Sequence, residues 1–198
     1  MKTIAVDIDD VLAASAQHFV DFSNQHWGHS FTLSDYDEHW QRMWGLERDF
    51  TQARARADFY HAAKPYTQLH GVNGANASLK RLSRDFRLVV ATSRLKKNAD
   101  ETHAWLDTHY GGIFSDVHFA GIWDVVDDTT PFATKADLCR RIGADYLIDD
   151  QPKHCIGIAE DGKEALLFGG YQWNQAATLP KSVTRTPDWQ AVEAYFYA

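Results

Sequence analysis

Cysteine is scarce in this chain of 198 residues, where it occurs only as Cys139 and Cys155. Neither cysteine lies in a C-x-x-C pair or in a zinc-ligand pattern, so the sequence gives no sign of a thiol-based metal site. Two isolated cysteines are typical of buried thiols in a reducing compartment. We therefore expect a cytoplasmic protein.

Long hydrophobic runs are also missing. No run approaches the roughly 20 apolar residues that a membrane-spanning helix needs, and the N-terminal run Thr3–Val6 is too short for a signal peptide. Basic residues are outnumbered, with 20 Lys and Arg against 27 Asp and Glu and a formal net charge of −7. This balance repels nucleic-acid polymers and anionic membranes, so we expect neither as a partner, although a local basic pocket for a small anion remains compatible with it.

Five short apolar runs alternate with stretches of helical spacing. Continuous apolar runs are typical of strands buried on both faces of a parallel sheet. The alternation predicts an α/β fold, a Rossmann-like doubly wound parallel sheet that binds ligands beyond the carboxyl ends of its strands. The predicted strands are Thr3–Val6, 87–91, 117–120, 146–148 and 165–168, and the predicted helices include 76–82, Ala99–Tyr110 and 134–142.

The segment 14–74 interrupts this alternation. It is rich in aromatic residues, and 46–63 has helical character. Sixty residues are too many for a plain loop in a compact domain, so we predict a small helical cap over the carboxyl end of the first strand. The remaining boundaries follow: residues 1–13 and 75–178 form the core, and 179–198 form a C-terminal segment. We expect that segment to carry a helix that packs on the core and starts with Thr186 as N-cap and Pro187 in its first turn.

Acidic residues follow two of the predicted strands. Asp7, Asp9 and Asp10 come after the first strand, and Asp149 and Asp150 come after the fourth. In a parallel sheet both strand ends emerge at the same edge, so these carboxylates would lie close together. Like charges so close are unfavourable without a cation, and oxygen ligands suit Mg²⁺. The alternative interpretation is a rim of solvated acids.

Polar residues that suit a phosphate occur at two further points. Thr92 and Ser93 follow the second strand, where hydroxyl and backbone N–H groups could bind a phosphoryl oxygen. Lys135 opens the helix before the fourth strand, where it could offset the acids and hold a phosphate. Taken alone, the Thr-Ser pair favours an ordinary turn and Lys135 favours a solvated lysine.

Together these residues resemble the four motifs of the haloacid dehalogenase superfamily in identity, order and position at strand ends. The resemblance covers about residues 3–170, and the place of segment 14–74 looks like that of the family's helical cap of the first type. Within the superfamily the chain looks most like the 5′(3′)-deoxyribonucleotidases and their bacterial relatives. That likeness is carried by residues 6–13, 91–93 and 147–152, and by 166–168 followed by Trp173 and Asn174.

The chain departs from those enzymes at three places. Asp10 stands where they usually have glycine, and Arg94 stands where they tend to have proline. Ala14 and Ser15 stand where they place an aromatic residue that packs on the nucleobase.

The resemblance implies a phosphohydrolase that uses Mg²⁺ and an aspartyl-phosphate intermediate. Its substrate would be a small phosphorylated metabolite, and a nucleoside monophosphate is the favoured one. The residues that the resemblance and the pattern assign are Asp7 and Asp9 to catalysis, Thr92, Ser93 and Lys135 to phosphate binding, Asp7, Asp9, Asp149 and Asp150 to the metal, and Trp40, Trp44 and Arg94 to the substrate.

Three alternatives stay open at this stage. The substrate could be another phosphomonoester such as a sugar phosphate, or the chain could be a binding module that kept the fold without catalysis. A receiver-like phosphoacceptor would also use clustered acids and a lysine, although Asp9 and the long insertion disfavour it. The aromatic residues of the insertion are equally compatible with a homodimer surface.

Overall fold

A computed structural model of the chain describes residues 1–121, 134–176 and 178–198. The predicted core range 75–178 therefore includes residues 122–133 and 177, which lie outside the described residues. Within the described part, six strands form a single sheet. In chain order these are β1 (Thr3–Val6), β2 (Arg87–Thr92), β3 (Asp116–Phe119), β4 (Tyr146–Asp149), β5 (Glu164–Phe168) and β6 (Val183–Thr186).

The sheet has the order β3-β2-β1-β4-β5-β6, and all of its neighbouring strands are parallel. This arrangement confirms the predicted doubly wound α/β sheet. Val6 at the end of β1 lies opposite Val90 of β2 and Ile148 of β4. The chain adds β2 and β3 on one side of β1 and β4 to β6 on the other. The carboxyl end of β1 is thus the switch point of the topology, where sheets of this kind bind ligands.

Helices fill the connections between the strands. Among the described residues, no helix combines the length and apolar character needed to cross a bilayer. Short 3₁₀ turns lie at Leu33–Asp35, Pro65–Thr67 and Lys96–Asn98. The α-helices in chain order are α1 (Ser15–Trp27), α2 (Trp40–Met43), α3 (Phe50–Ala62), α4 (Ala75–Leu82), α5 (Ala99–Tyr110), α6 (Lys135–Ile142), α7 (Pro152–Glu160), α8 (Gln172–Gln175) and α9 (Trp189–Phe196).

Alternation along the strands builds two apolar layers. In β1, Ile4 and Val6 face a layer that contains residues of α4, α5 and α9, whereas Ala5 faces a layer with residues of α6 and α7. Because side chains of a strand point alternately to opposite faces, a continuous apolar run buries both sides of the sheet. Cys139 and Cys155 lie in the second layer as free, buried thiols, as the sequence predicts.

The segment between β1 and α4 carries its own aromatic cluster. Phe19 of α1 stacks on Trp40 with ring centroids 4.2 Å apart, and Tyr60 of α3 meets Phe19 edge-on at 5.0 Å. The two ends of the segment lie side by side, since the N–H of Ala14 donates to the carbonyl of His70 at 2.9 Å. We call residues 14–74 the cap.

Three details of the sequence prediction were wrong. The helix expected over 46–63 begins at Phe50, because the side chain of Asp49 caps it by accepting from Gln52 N at 2.9 Å. Residues Val183–Thr186 form a sixth strand that the sequence analysis did not predict. Thr186 ends this strand and does not cap α9. The N-cap residue of α9 is Asp188, whose carboxylate accepts from Ala191 N at 2.8 Å.

Candidate active site

The loop after β1 begins the site. Asp7 follows the strand directly, and its N–H donates to the carbonyl of Ile148 at 2.9 Å, which ties it to β4. The chain then turns back so that Ala13 N donates to Ile8 O at 2.9 Å. Asp10 in this turn has a φ of 59°, a left-handed conformation that aspartate tolerates better than most residues. This conformation explains how Asp10 can occupy a position where the 5′(3′)-deoxyribonucleotidases usually have glycine.

Side chains from distant parts of the core hold the carbonyl groups of this loop. Tyr171, Trp189 and Tyr110 donate to the carbonyl oxygens of residues 10, 11 and 12 at 2.7, 2.9 and 2.8 Å. Such bonds satisfy backbone groups that leave the sheet ladder. The loop therefore presents Asp7 and Asp9 on a fixed backbone.

Three carboxylates meet at the carboxyl ends of β1 and β4. Asp7, Asp149 and Asp150 are buried, and they can offer oxygens that all lie within 4.8 Å of one another. The ammonium group of Lys135, at the start of α6, lies 2.7 Å from Asp7 Oδ2 and 2.6 Å from Asp149 Oδ2. The structure thus brings together four residues that the sequence analysis assigned to one site.

Burial and mutual repulsion shape the protonation of this cluster. Burial, opposed by Lys135 and reinforced by Asp149 and Asp9, raises the pKa of Asp7 to about 7. Burial and neighbouring carboxylates also raise the pKa of Asp150 well above its usual value. For Asp149, burial is outweighed by Lys135 and His154, which lower its pKa. A raised carboxyl pKa means that burial and neighbouring carboxylates disfavour the charged form of the group.

The two neighbouring acids after β4 differ in their hydrogen bonds. Asp149 accepts from Lys135 at Oδ2, and its Oδ1 accepts from Gln151 N at 2.8 Å and lies 3.1 Å from His154 Nδ1. Asp150 accepts at Oδ2 from Trp173 Nε1 at 2.6 Å and from the Gln151 side chain at 3.0 Å. Among the described residues no donor reaches its Oδ1, so Asp150 has an oxygen to offer to a cation.

Asp9 belongs to a separate cluster beside the first. Arg94 Nη2 donates to its Oδ1 at 2.7 Å and Arg94 Nε donates to its Oδ2 at 3.0 Å, while the hydroxyl of Ser15 also donates to Oδ1. Burial alone would raise the pKa of Asp9, but the charge and hydrogen bonds of Arg94, together with Ser15, lower it. Arg94, expected at the substrate, therefore lies against an acid of the site.

Thr92 and Ser93 occupy different environments at the end of β2. Thr92 is fully buried, and its Oγ1 accepts from Arg94 N at 3.1 Å. The Ser93 hydroxyl is buried without a hydrogen-bond partner among the described residues, in a side chain that lines the cavity beneath the cap. A hydroxyl without a partner can donate to an anionic oxygen that enters the site.

A cavity of about 1110 Å³ lies between the cap and this edge of the sheet. Trp40 is half-buried and lines it. Trp44 also borders the cavity, but it is only 5% exposed and its Nε1 donates to Ser23 Oγ at 3.1 Å within the cap. The two tryptophans predicted at the substrate thus differ, with Trp44 mainly a core residue of the cap. Other walls of the cavity are formed by Asp7, Asp9, Tyr36, Tyr60, His61, Tyr66, Ser93, Arg94, Lys135, Asp150 and His154.

The sequence analysis missed two supporting residues of the site. Ser15 reaches Asp9 from the first turn of α1, and His154 reaches Asp149 from the first turn of α7. In both cases a polar residue lies five or six positions after an acid at a strand end. Helix α7 starts just after β4 and directs first-turn side chains back toward Asp149, so the spacing could have indicated His154. Helix α1 follows β1 only after the loop 7–14, so the contact of Ser15 depends on the conformation of that loop.

Solved structures of other proteins share this fold. A haloacid dehalogenase-like hydrolase from Streptococcus pneumoniae superposes with a TM-score of 0.70 at 18% identity, covering 99% of this chain and 98% of its own. A predicted phosphoglycolate phosphatase from Haemophilus somnus gives 0.69 at 15%, covering 99% and 98%. The L-2-haloacid dehalogenase from Xanthobacter autotrophicus gives 0.67 at 10%, covering 100% and 99%. No curated protein matches the chain by sequence.

The family model that matches this chain is haloacid dehalogenase-like, so the chain is a hydrolase of the haloacid dehalogenase superfamily. More narrowly, the chain belongs to the family described as 5′ nucleotidase, deoxy (pyrimidine), cytosolic type C protein, whose model matches residues 1–196. Membership of this family makes the chain an enzyme of the phosphatase class.

Proposed function

We propose that this phosphatase is a magnesium-dependent nucleoside-monophosphate hydrolase that works through an aspartyl-phosphate at Asp7. The observation that carries the proposal is the meeting of Asp7, Asp149 and Asp150 around Lys135 at the switch point of the sheet. The family match supports a nucleotide substrate. The large cavity with aromatic walls supports it further, since bases stack on aromatic side chains.

The donor set fits Mg²⁺. All of the candidate ligands are oxygens, which this ion prefers, and carboxylate oxygens of Asp7 and Asp150 lie within 4.8 Å of one another. We assign the metal to the carboxylates of Asp7 and Asp150 and to the carbonyl of Asp9. Asp149 would lie beside this set, where it accepts from Lys135 and from Gln151 N. When bound, Mg²⁺ would stabilise the negative charge that develops on the phosphoryl oxygens.

The chain's own residues would perform two displacement steps. A carboxylate oxygen of Asp7 attacks phosphorus, and the bond from phosphorus to the ester oxygen breaks. Asp9, which must first take up a proton against its lowered pKa, gives that proton to the departing alcohol. Water then attacks the aspartyl-phosphate while Asp9 takes up a proton, which releases inorganic phosphate and restores Asp7. Thr92, Ser93 and Lys135 would bind the remaining phosphoryl oxygens. A cytoplasmic location and a homodimer stay predictions from the sequence.

A phosphatase screen with and without Mg²⁺ tests the whole proposal. We expect turnover of nucleoside monophosphates that EDTA abolishes and Mg²⁺ restores, with Ca²⁺ a poor substitute because it prefers more ligands and longer bonds. Asp7→Asn should fold but lose more than about a hundredfold in kcat, or about 2.7 kcal/mol of barrier, because an amide cannot attack phosphorus. A preference for sugar phosphates over nucleotides would refute the nucleotidase assignment, but the assignment as a phosphatase would stand. Full activity of the protein in the presence of EDTA would refute the requirement for a metal ion.

A further inference from the structure

Arg94 and Asp9 form a bidentate ion pair at the cavity. Two different nitrogens of the guanidinium group contact two different oxygens of the carboxylate, at 2.7 and 3.0 Å. The side chain of Arg94 is only 1% exposed, whereas that of Asp9 is 34% exposed. A bidentate pair fixes the plane of a carboxylate as well as its position. Arg94 therefore fixes Asp9 while part of the Asp9 side chain stays exposed in the cavity, which both residues line.

Arg94 is itself held by aromatic rings. Its Cζ atom lies 4.3 Å from the ring centroid of Tyr66 and 5.8 Å from that of Trp105. Tyr66 lies in the 3₁₀ turn Pro65–Thr67 near the end of the cap, and Trp105 lies in α5 of the core. Contacts between a cation and the faces of aromatic rings are attractive, and more so when they are shielded from water. Arg94 thus links the last turn of the cap to Asp9.

We infer that Arg94 is a positioning residue of the reaction, which orients the Asp9 carboxylate toward the leaving group and which the cap supports through Tyr66. This inference rests on the proposed function, in which Asp9 gives a proton to the leaving oxygen and takes one from water. Both transfers require a fixed distance and direction between the acid and the reacting oxygen. This role is an alternative to the direct substrate contact that the sequence suggests for Arg94.

The two roles predict different kinetics. A residue that acts through Asp9 affects the transition states and leaves binding of the substrate nearly unchanged, so its loss lowers kcat at a similar KM. A residue that binds the substrate equally in the ground and transition states raises KM at a similar kcat when it is removed. The distinction needs only steady-state kinetics on one phosphomonoester that the wild-type protein turns over.

The test compares Arg94→Gln and Arg94→Lys with Arg87→Gln in the presence of Mg²⁺. Arg87 is a control arginine at the opposite end of β2, where it pairs with Asp116 at a partly exposed position away from the site. We expect Arg94→Gln to lower kcat by about 10–100-fold, less than the roughly 10²–10⁴-fold of a whole general acid–base contribution because Asp9 itself remains, and to leave KM within about twofold. Arg94→Lys should recover part of the loss, because it keeps the charge without the bidentate geometry.

A second variant approaches the pair from the cap. Tyr66→Leu removes the ring over Arg94 but leaves the charges of Arg94 and Asp9 intact. It therefore tests the positioning role even if the Arg94 variants do not fold. It should lower kcat less than Arg94→Gln does, again without raising KM. A raised KM at unchanged kcat, or Arg94 and Tyr66 variants as active as Arg87→Gln, would overturn the positioning role alone. A wild-type protein that turns over no phosphomonoester would instead overturn the proposed function, and the positioning role with it.

Discussion

The ammonium group of Lys135 lies 2.6 Å from Oδ2 of Asp149, and neither side chain has any exposed surface. A buried ion pair of this kind gains little when it forms, because both charges lose water, but breaking it leaves one charge buried and unpaired. The lysine is therefore a structural residue as well as a candidate phosphate ligand.

The first prediction follows from this pair. Lys135→Met should lower the free energy of unfolding by about 3–5 kcal/mol, the usual cost of removing one partner of a buried pair. Urea denaturation in EDTA measures it, because a bound cation would compensate the freed carboxylates. Lys80→Met, at an exposed position on α4, is the control and should change stability by less than about 0.5 kcal/mol. Equal stability of the two variants would show that the pair is not buried as described.

The second prediction concerns the turn after β1. Because Asp10 has a φ of 59°, Asp10→Ala should destabilise the protein by about 1–2 kcal/mol relative to Asp10→Gly, the cost of a Cβ atom in the left-handed region. Both variants lose the carboxylate and its hydrogen bond from Ala16 N, so those effects cancel in the comparison. Denaturant unfolding of both variants in EDTA measures the difference. An alanine variant at least as stable as the glycine variant would contradict this backbone conformation.

Much of this site follows from local patterns in the sequence. Asp7 and Asp149 lie at the ends of apolar runs, and the parallel sheet then brings those ends to one edge, so the acidic cluster is predictable. Lys135 opens a helix with a capping box at Thr134 and Asp137, a pattern that indicates a helix start.

Other features depend on partners far away in the chain. Arg94 and Asp9 are 85 positions apart, and nothing in either neighbourhood indicates that they meet. Strand β6 has the sequence VTRT with two exposed central residues, so it lacks the apolar run that identifies the interior strands. It forms because β5 offers a free edge beside it. Edge strands and side-chain pairs are set by tertiary packing, which overrides local preference.

The third prediction is a pH dependence of stability that His61 contributes. Burial, aided by the charge of Lys97, lowers the pKa of His61 from 6.5 to about 4. Between about pH 6.5 and pH 4 the unfolded chain therefore binds a proton that the folded chain does not, and stability falls as the pH falls through this window. When the pH is lowered from 7.5 to 5, the Tm of His61→Gln should fall by less than the Tm of the wild type. An equal loss in both proteins would show that His61 titrates normally in the cap.

The last prediction separates the two tryptophans of the cap. Trp40 is half-buried beside the cavity and stacks on Phe19, so Trp40→Ala should raise KM for a preferred nucleotide about tenfold, since stacking on a base contributes ~1–3 kcal/mol. Hydrolysis of p-nitrophenyl phosphate should change much less, because that substrate offers no nucleobase for the cap to contact. Trp44 is buried in the cap cluster and bonded to Ser23. Trp44→Ala should therefore destabilise the protein by about 3–5 kcal/mol, as large-to-small core changes do, and impair both substrates alike. If Trp40→Ala impairs both substrates equally, Trp40 supports the cap and does not contact the base.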